Sequence, residues 1–176
     1  EYTIDGYVLS DTFEEGKATI LVDKNTAGST YALSNVSTNN GLEGKKVTIL
    51  QKTINGQTVT YIAPMEESSI LWTYSNMKLY TDETHYLYAA SSRGNYALSA
   101  ENLNVTWLYW ENRLFTNLGN MNTPYLRVNN GIFTLDRQNS SNMYLFVKNT
   151  VTIDTFVLED TNTQSIEESL AEEVNM

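Results

Sequence analysis

The chain has no cysteine, one histidine (His85) and two prolines among its 176 residues. Without cysteine there is no disulfide framework, no thiolate nucleophile and no cysteine zinc site. A single histidine excludes a histidine-rich metal centre and confines any serine–histidine–aspartate triad to His85. Bases are also scarce: 11 Lys and Arg against 21 Asp and Glu leave a formal charge of -10, which repels phosphate backbones. No run approaches the ~18 consecutive apolar residues of a membrane helix. What is plentiful is asparagine, threonine and tyrosine, a composition that favours strands and turns over helices.

Charge and aromatics divide the chain into three parts. Residues 1–64 carry 7 acids, 5 bases and 5 aromatics; residues 65–150 carry 7 acids, 6 bases and 14 of the 20 aromatics. Residues 151–176 carry 7 acids, no base and one aromatic, Phe156. Most of the net charge therefore belongs to the end of the chain, and the body is nearly neutral. Glu1 rather than Met opens the sequence, which reads as a processed or trimmed chain whose export signal would not be visible.

The first part holds candidate strands at Tyr2–Leu9, Ala18–Asp23, Ser29–Ser34, Lys46–Gln51 and Thr58–Ala63. Asn55-Gly56 is a strong two-residue hairpin signal, because both central positions of a type I′ turn need positive φ. Five short strands in about 64 residues suit a small Greek-key barrel. Ile4-Asp5-Gly6-Tyr7-Val8, Gly44-Lys45-Lys46-Val47-Thr48-Ile49 and Asn55-Gly56 together resemble the OB-fold-like modules of secreted Bacteroidetes proteins. That resemblance implies an OB-like barrel over residues 1–64. Nucleic acid is not expected as its partner, because stacked aromatics over a basic groove are missing.

The second part contains a duplication. Trp72-Thr73-Tyr74-Ser75-Asn76-Met77-Lys78-Leu79-Tyr80-Thr81 aligns without gaps on Trp107-Leu108-Tyr109-Trp110-Glu111-Asn112-Arg113-Leu114-Phe115-Thr116, at an offset of 107 - 72 = 35. Tyr86-Leu87-Tyr88-Ala89 then corresponds to Tyr125-Leu126-Arg127-Val128, with Tyr96 placed on Phe133 and Leu98 on Leu135. Leu108 falls on Leu145, which opens a partial third copy. The unit is thus about 36 residues with roughly four strands, too small to bury its aromatic face alone, so copies pack around a shared core.

The fold expected is all-β: a five-stranded OB-like barrel over 1–64, a duplicated aromatic-rich module over 65–158, and an acidic tail over 159–176, disordered or a short helix. Such a repeat is also what a β-trefoil lobe looks like. If the first part were a diverged third lobe, residues 1–150 would form one trefoil; the first part, however, lacks the tryptophan signature. In the tail, Ser165-Ile166-Glu167-Glu168 forms a capping box before Ile166, Leu170 and Val174, which share one helical face.

Trp107 with Arg113-Leu114-Phe115, Tyr125-Leu126 and Tyr144-Leu145-Phe146 resembles small modules of secreted and cell-surface Bacteroidetes proteins. The resemblance implies an exported protein, secreted or at the cell surface, with room for a lipid anchor upstream of residue 1. Those modules carry no catalytic motif, so no functional residue transfers from them.

Trp72, Tyr74, Trp107 and Tyr109 recur in both copies at period-2 spacing, which marks them as core. Residues that break the repeat are better site candidates. Trp110 stands where the first copy has Ser75, and by strand alternation it points opposite to Trp107 and Tyr109; Tyr88 stands where the second copy has Arg127. These two are the expected ligand-binding residues. His85 beside Asp82 and Glu83 lacks a nucleophile or second base and reads as a surface or packed histidine. Glu101, Glu111 and Asp136 cannot be paired at glycosidase separations from linear sequence. Asp23-Lys24-Asn25-Thr26-Ala27-Gly28 opens like an EF-hand loop but fails at Ala27 and Ser34 and reads as a polar turn. Asp11 with Glu14-Glu15-Gly16, and Asp82-Glu83, read as solvated turns, with weak calcium binding as the sharper alternative. No catalytic residue, metal or cofactor is expected. The function expected is non-enzymatic binding of a glycan or a surface protein, with a structural part of an adhesin-like assembly and an OB-type nucleic-acid binder as alternatives.

Overall fold

The computed structural model describes residues 2–24, 30–63, 68–82, 84–92, 95–153 and 163–165. Among them the protein is all-β with no α-helix, and one 3-10 turn at Ser68–Ile70. The first strands are β1 (Tyr2–Ser10), β2 (Ala18–Asp23), β3 (Tyr31–Thr38), β4 (Gly41–Lys46), β5 (Thr48–Ile54) and β6 (Gln57–Ala63). They are followed by β7 (Trp72–Ser75), β8 (Lys78–Asp82), β9 (His85–Ser92), β10 (Asn95–Glu101), β11 (Leu108–Trp110) and β12 (Arg113–Phe115). The last are β13 (Tyr125–Asn129), β14 (Ile132–Asp136), β15 (Met143–Ile153) and β16 (Thr163–Ser165). In the expected disordered or helical tail, Thr163–Ser165 is instead a short strand, which takes in Ser165 of the expected capping box; the rest of that box and the apolar face of Ile166, Leu170 and Val174 lie outside the described residues.

Two compact units form, and each draws on separated stretches of chain. The first is built from 1–8, 47–67 and 148–176; the second from 9–46 and 68–147. The candidate strands of residues 1–64 are thereby shared between both units: β2, β3 and β4 belong to the second, β5 and β6 to the first.

In the first unit β5 and β6 form an antiparallel hairpin from Thr48↔Ala63 to Ile54↔Gln57. Asn55 (φ 50°) and Gly56 (φ 79°) make its two-residue turn, the geometry that dipeptide favours. β6 pairs with β1 and β5 with β16, both antiparallel. Alternation along β5 and β6 buries Ile49, Ile54, Val59 and Ile62. Gly6 is required where β1 crosses β6, because a Cβ there would lie 2.6 Å from Val59 Cγ1. Asp5 receives Lys148 Nζ at 3.5 Å and the Thr150 hydroxyl at 3.2 Å.

The second unit repeats one register three times. Tyr74 opposes Leu79 across β7–β8, Tyr109 opposes Leu114 across β11–β12, and Leu145 opposes Leu21 across β15–β2. The next strand follows each hairpin in the same register: Tyr80↔Tyr86, Phe115↔Tyr125 and Val22↔Ala32. Fully buried leucines mark the correspondence, namely Leu21, Leu79 and Leu114 in one set and Leu33, Leu87 and Leu126 in another. A third set is Leu42, Leu98 and Phe133; Leu98 opposes Ala89 and Phe133 opposes Val128, while Phe133 also pairs with Leu42 across β14–β4.

This register corrects two details of the sequence alignment. Leu98 matches Phe133 and Ala100 matches Leu135, two residues from the expected pairing. Tyr109, not Leu108, matches Leu145. Short alternating strands tolerate a shift that preserves the apolar face, and backbone pairing decides between the alternatives.

Trp72 and Trp107 are the largest buried side chains of the unit, 0% and 1% exposed. Each satisfies its indole N–H on the carbonyl of the buried leucine in the preceding repeat: Trp72 on Leu33 at 3.0 Å, Trp107 on Leu87 at 2.9 Å. The third equivalent position is Met143, which has no such donor, and the Leu126 carbonyl accepts from the Ser141 N–H at 3.0 Å instead. Tyr74 and Tyr109 have Leu145 as their third counterpart. Phe13, from the segment before β2, stacks on Tyr74 (centroids 4.6 Å, 5° between planes) and lies edge-on to Tyr109 at 6.0 Å.

Candidate functional site

Strand alternation and hairpin geometry place the two sequence candidates differently. On β11, Tyr109 turns inward and its hydroxyl donates to the Met143 carbonyl at 2.7 Å; burial, with the charge of Asp11 second, pushes this phenol up to about 12. Its neighbour Trp110 turns outward, opposite Arg113 in the hairpin register, and is 60% exposed. Glu111 and Asn112, both at positive φ, turn the chain directly beyond it. Tyr88 is half-buried on β9, opposite Ser99 of β10. It lines a cavity of about 590 Å³ in which Trp110 takes no part.

That cavity lies between the ends of β9 and β10 and the loop after β12. It is lined by Tyr88, Ala89, Tyr96, Leu118, Asn120, Asn122 and Arg137, with Tyr96 on the core face of the β9–β10 ribbon and Tyr88 on the opposite face. The Tyr96 hydroxyl donates to Asn122 Oδ1 at 2.5 Å, fixing the ring against the loop. The loop is itself ordered by Leu118 N–H on the Asn122 carbonyl and by two positive-φ residues, Asn120 and Met121. Tyr96 and Arg137 also line a neighbouring cavity of about 520 Å³ together with Asp136 and Gln138. Asp136 accepts from the Asn139 and Gln138 backbone N–H groups, which hold its carboxyl below its ordinary value.

A further cavity, of about 610 Å³, is lined by Asp23, Lys24, Tyr31, the Val128–Gly131 turn, Ser141 and Asn142. Asp23 is 5% exposed. Burial pushes its carboxyl up to about 6, against the Tyr31 N–H that donates to Oδ1 at 2.6 Å. Lys24 Nζ stands 4.8 Å from the centre of the Tyr144 ring. Gly131 is needed at φ 75°, where a Cβ would meet the Tyr31 ring at 3.1 Å. The sequence pattern gives Asp23 as the end of the strand Ala18–Asp23 and the start of a polar turn, not as a site residue. Its signal was the register: Asp23 follows Val22 as Thr81 follows Tyr80 and Thr116 follows Phe115, so a carboxylate stands where the other repeats have a threonine.

No family model, curated protein or solved structure matches the chain.

His85 is exposed and its Nδ1 lies 3.1 Å from Asp82 Oδ1. Asp82 also accepts from the Thr84 N–H, the largest of the influences that bring its carboxyl down to about 2, ahead of the hydrogen bond from His85. The group forms a turn at the start of β9. Glu15 accepts from the Asn76 N–H and the Ser75 hydroxyl, which ties the segment before β2 to the β7–β8 turn. Glu111 pairs with Arg113 at 3.6 Å. Among the described residues no group of three or more His, Asp or Glu converges in a way that could hold a metal ion, and no helix is long and apolar enough to cross a membrane. Asn25–Gly28 and Glu83 lie outside the described residues.

Proposed function

We propose that the chain is a non-enzymatic binding module, secreted or displayed at the cell surface, whose ligand is a glycan. One observation carries this reading: Tyr88 and Tyr96 share a half-open groove with asparagine side chains and Arg137. Tyrosine faces pack against the C–H surface of a sugar ring, and amides with a guanidinium supply donors and acceptors for its hydroxyls. Binding sites combine a concave surface with a few convergent polar groups in the same way. The extracellular setting rests on the resemblance of the strand motifs to exported modules.

For the architecture, the expected alternative is one trefoil over residues 1–150; the shared register of the three hairpins supports a trefoil arrangement with different bounds, the second unit of 9–46 and 68–147. An OB-like reading retains the turn chemistry of Ile4–Val8, Gly44–Ile49 and Asn55-Gly56 as its support. A surface protein as partner is favoured by a separate observation: Trp110 is 60% and Met121 92% exposed, and Met121 projects from the loop that borders the groove.

A glycan array probed with the whole chain tests the proposal. The expected result is binding to a restricted set of glycans, weakened at least about tenfold by Tyr88→Ala and by Tyr96→Ala, and left within about twofold by Trp110→Ala, in line with the ~1–3 kcal/mol worth of a lost stacking or hydrogen-bonding partner. A clean array from folded protein overturns the glycan reading. Loss of array binding on Trp110→Ala alone moves the contact to the β11–β12 hairpin.

A further inference from the structure

We infer that the Asp23 cavity is a second glycan site, the counterpart of the Tyr88 cavity one repeat further round the second unit. The inference rests on the glycan reading above and adds to it a number of sites and a distinct acceptor chemistry.

The correspondence follows from backbone register alone. Leu87 and Leu126 occupy equivalent positions, both fully buried and both accepting at their carbonyls from the segment that leads into the first strand of the next repeat, through the Trp107 indole N–H and the Ser141 N–H. Counting on from them, Ala89, Ala90 and Ser91 of the first cavity match Val128, Asn129 and Asn130 of the second. Trp107 and Met143 are equivalent, because the Trp107 N–H donates to the Met77 carbonyl at 2.7 Å and the Met143 N–H to the Asn112 carbonyl at 2.6 Å. Two residues before each stand Val105 and Ser141, which line the respective cavities. The remaining wall is in both cases the chain leaving the second strand of the following hairpin, through Leu118 in one and Asp23-Lys24 in the other. The two volumes, about 590 and 610 Å³, are closely similar.

The linings differ in chemistry. The Tyr88 cavity is lined by Tyr96, Tyr88 and Arg137, whereas the Asp23 cavity is lined by a buried carboxyl, Tyr31 and the asparagines Asn129, Asn130 and Asn142. A carboxylate beside amides accepts from adjacent hydroxyls of a sugar ring. The Tyr31 N–H on Oδ1 fixes the Asp23 carboxyl among the lining residues, which lowers the ordering cost of binding. A chain with two such sites engages a branched or repeating glycan bivalently.

Backbone amide NMR on the whole chain, titrated with the methyl glycosides of glucose, galactose, mannose, fucose and N-acetylglucosamine, separates the two sites. At least one glycoside is expected to shift two clusters, 88–91 with 118–122 and 128–131 with 141–142. Asp23→Asn, which keeps an acceptor for the Tyr31 N–H, should weaken the second cluster's response about tenfold and leave the first unchanged. Tyr88→Ala should do the reverse. Shifts confined to the 88–91 cluster overturn the second site while leaving the glycan reading intact. Shifts in neither cluster, with that protein folded, overturn both.

Discussion

The β11–β12 and β15–β2 hairpins have the same register and the same place in the second unit, yet they are made in opposite ways. β11 and β12 are joined by Glu111-Asn112, whose paired positive φ values of 50° and 65° form a tight turn. β15 and β2 are joined by no turn, since β15 comes from the end of the unit's sequence and β2 from its beginning. Where the first hairpin buries Trp107 and Tyr109, the second supplies Met143 and Leu145, and Phe13 brings a ring against Tyr74 and Tyr109 from a different segment. A repeat is conspicuous when its hairpin is local. The same repeat assembled from the two ends of a chain has no continuous motif to find.

If the two hairpins are energetically equivalent, truncating either opening residue unfolds the same unit. Trp107→Ala is expected to cost about 3–5 kcal/mol and Met143→Ala about 2–5 kcal/mol, read as denaturant midpoints at constant slope. A Met143→Ala cost under ~1 kcal/mol would show β15 to be peripheral and break the comparison.

Asp23 distinguishes the closing hairpin electrostatically. Its carboxyl titrates near 6 in the folded chain against an ordinary value of 3.8. Ionisation therefore opposes folding: the penalty is complete above about pH 6, fades as pH falls, and is gone below 3.8. Asp23→Asn should stabilise the protein at pH 8 by on the order of 1–2 kcal/mol, a figure reduced for solvent in the cavity, and by nothing measurable at pH 3.5. Denaturation curves for both proteins at the two pH values check the sign. Equal gains at both would trace the effect to packing instead of charge.

The smallest effect concerns the turns. Met77 sits at φ 64° in the β7–β8 turn, a conformation that side chains with a Cβ adopt at a cost, whereas its counterpart Asn112 tolerates it. Met77→Gly should therefore raise thermal stability by about 0.5–1 kcal/mol, and Asn112→Gly by less. An equal gain at both would remove the distinction between the two turns.

Legibility in the sequence tracked locality in the same way. The Trp72 and Trp107 hairpins, their buried tryptophans and the Asn55-Gly56 turn were all readable, because each depends on residues within ten positions of one another. The all-β class followed from the same short alternations. The distribution of residues 1–64 over two units was not readable, because β2 closes against Leu145 and Phe146, more than 120 positions away. Of the candidate site, Tyr88 is legible because it breaks the repeat. Asp23 broke the same repeat but in the copy whose first strand lies elsewhere, so nothing nearby revealed it. Tyr96, Asn122 and Arg137 meet only through the β9–β10 pairing and the loop after β12.

The pairing of β15 with β2 also bears on the order of events during synthesis. β2 and its buried Ile20, Leu21 and Val22 leave the ribosome early, while the strand that covers one of their edges is among the last of the unit to emerge. Until then that edge is an open template for any other strand, including β2 of a neighbouring nascent chain. The pairing is also among the most distant in sequence that the unit makes, so its loop must close before its hydrogen bonds reward it. The last strand thus acts as a latch.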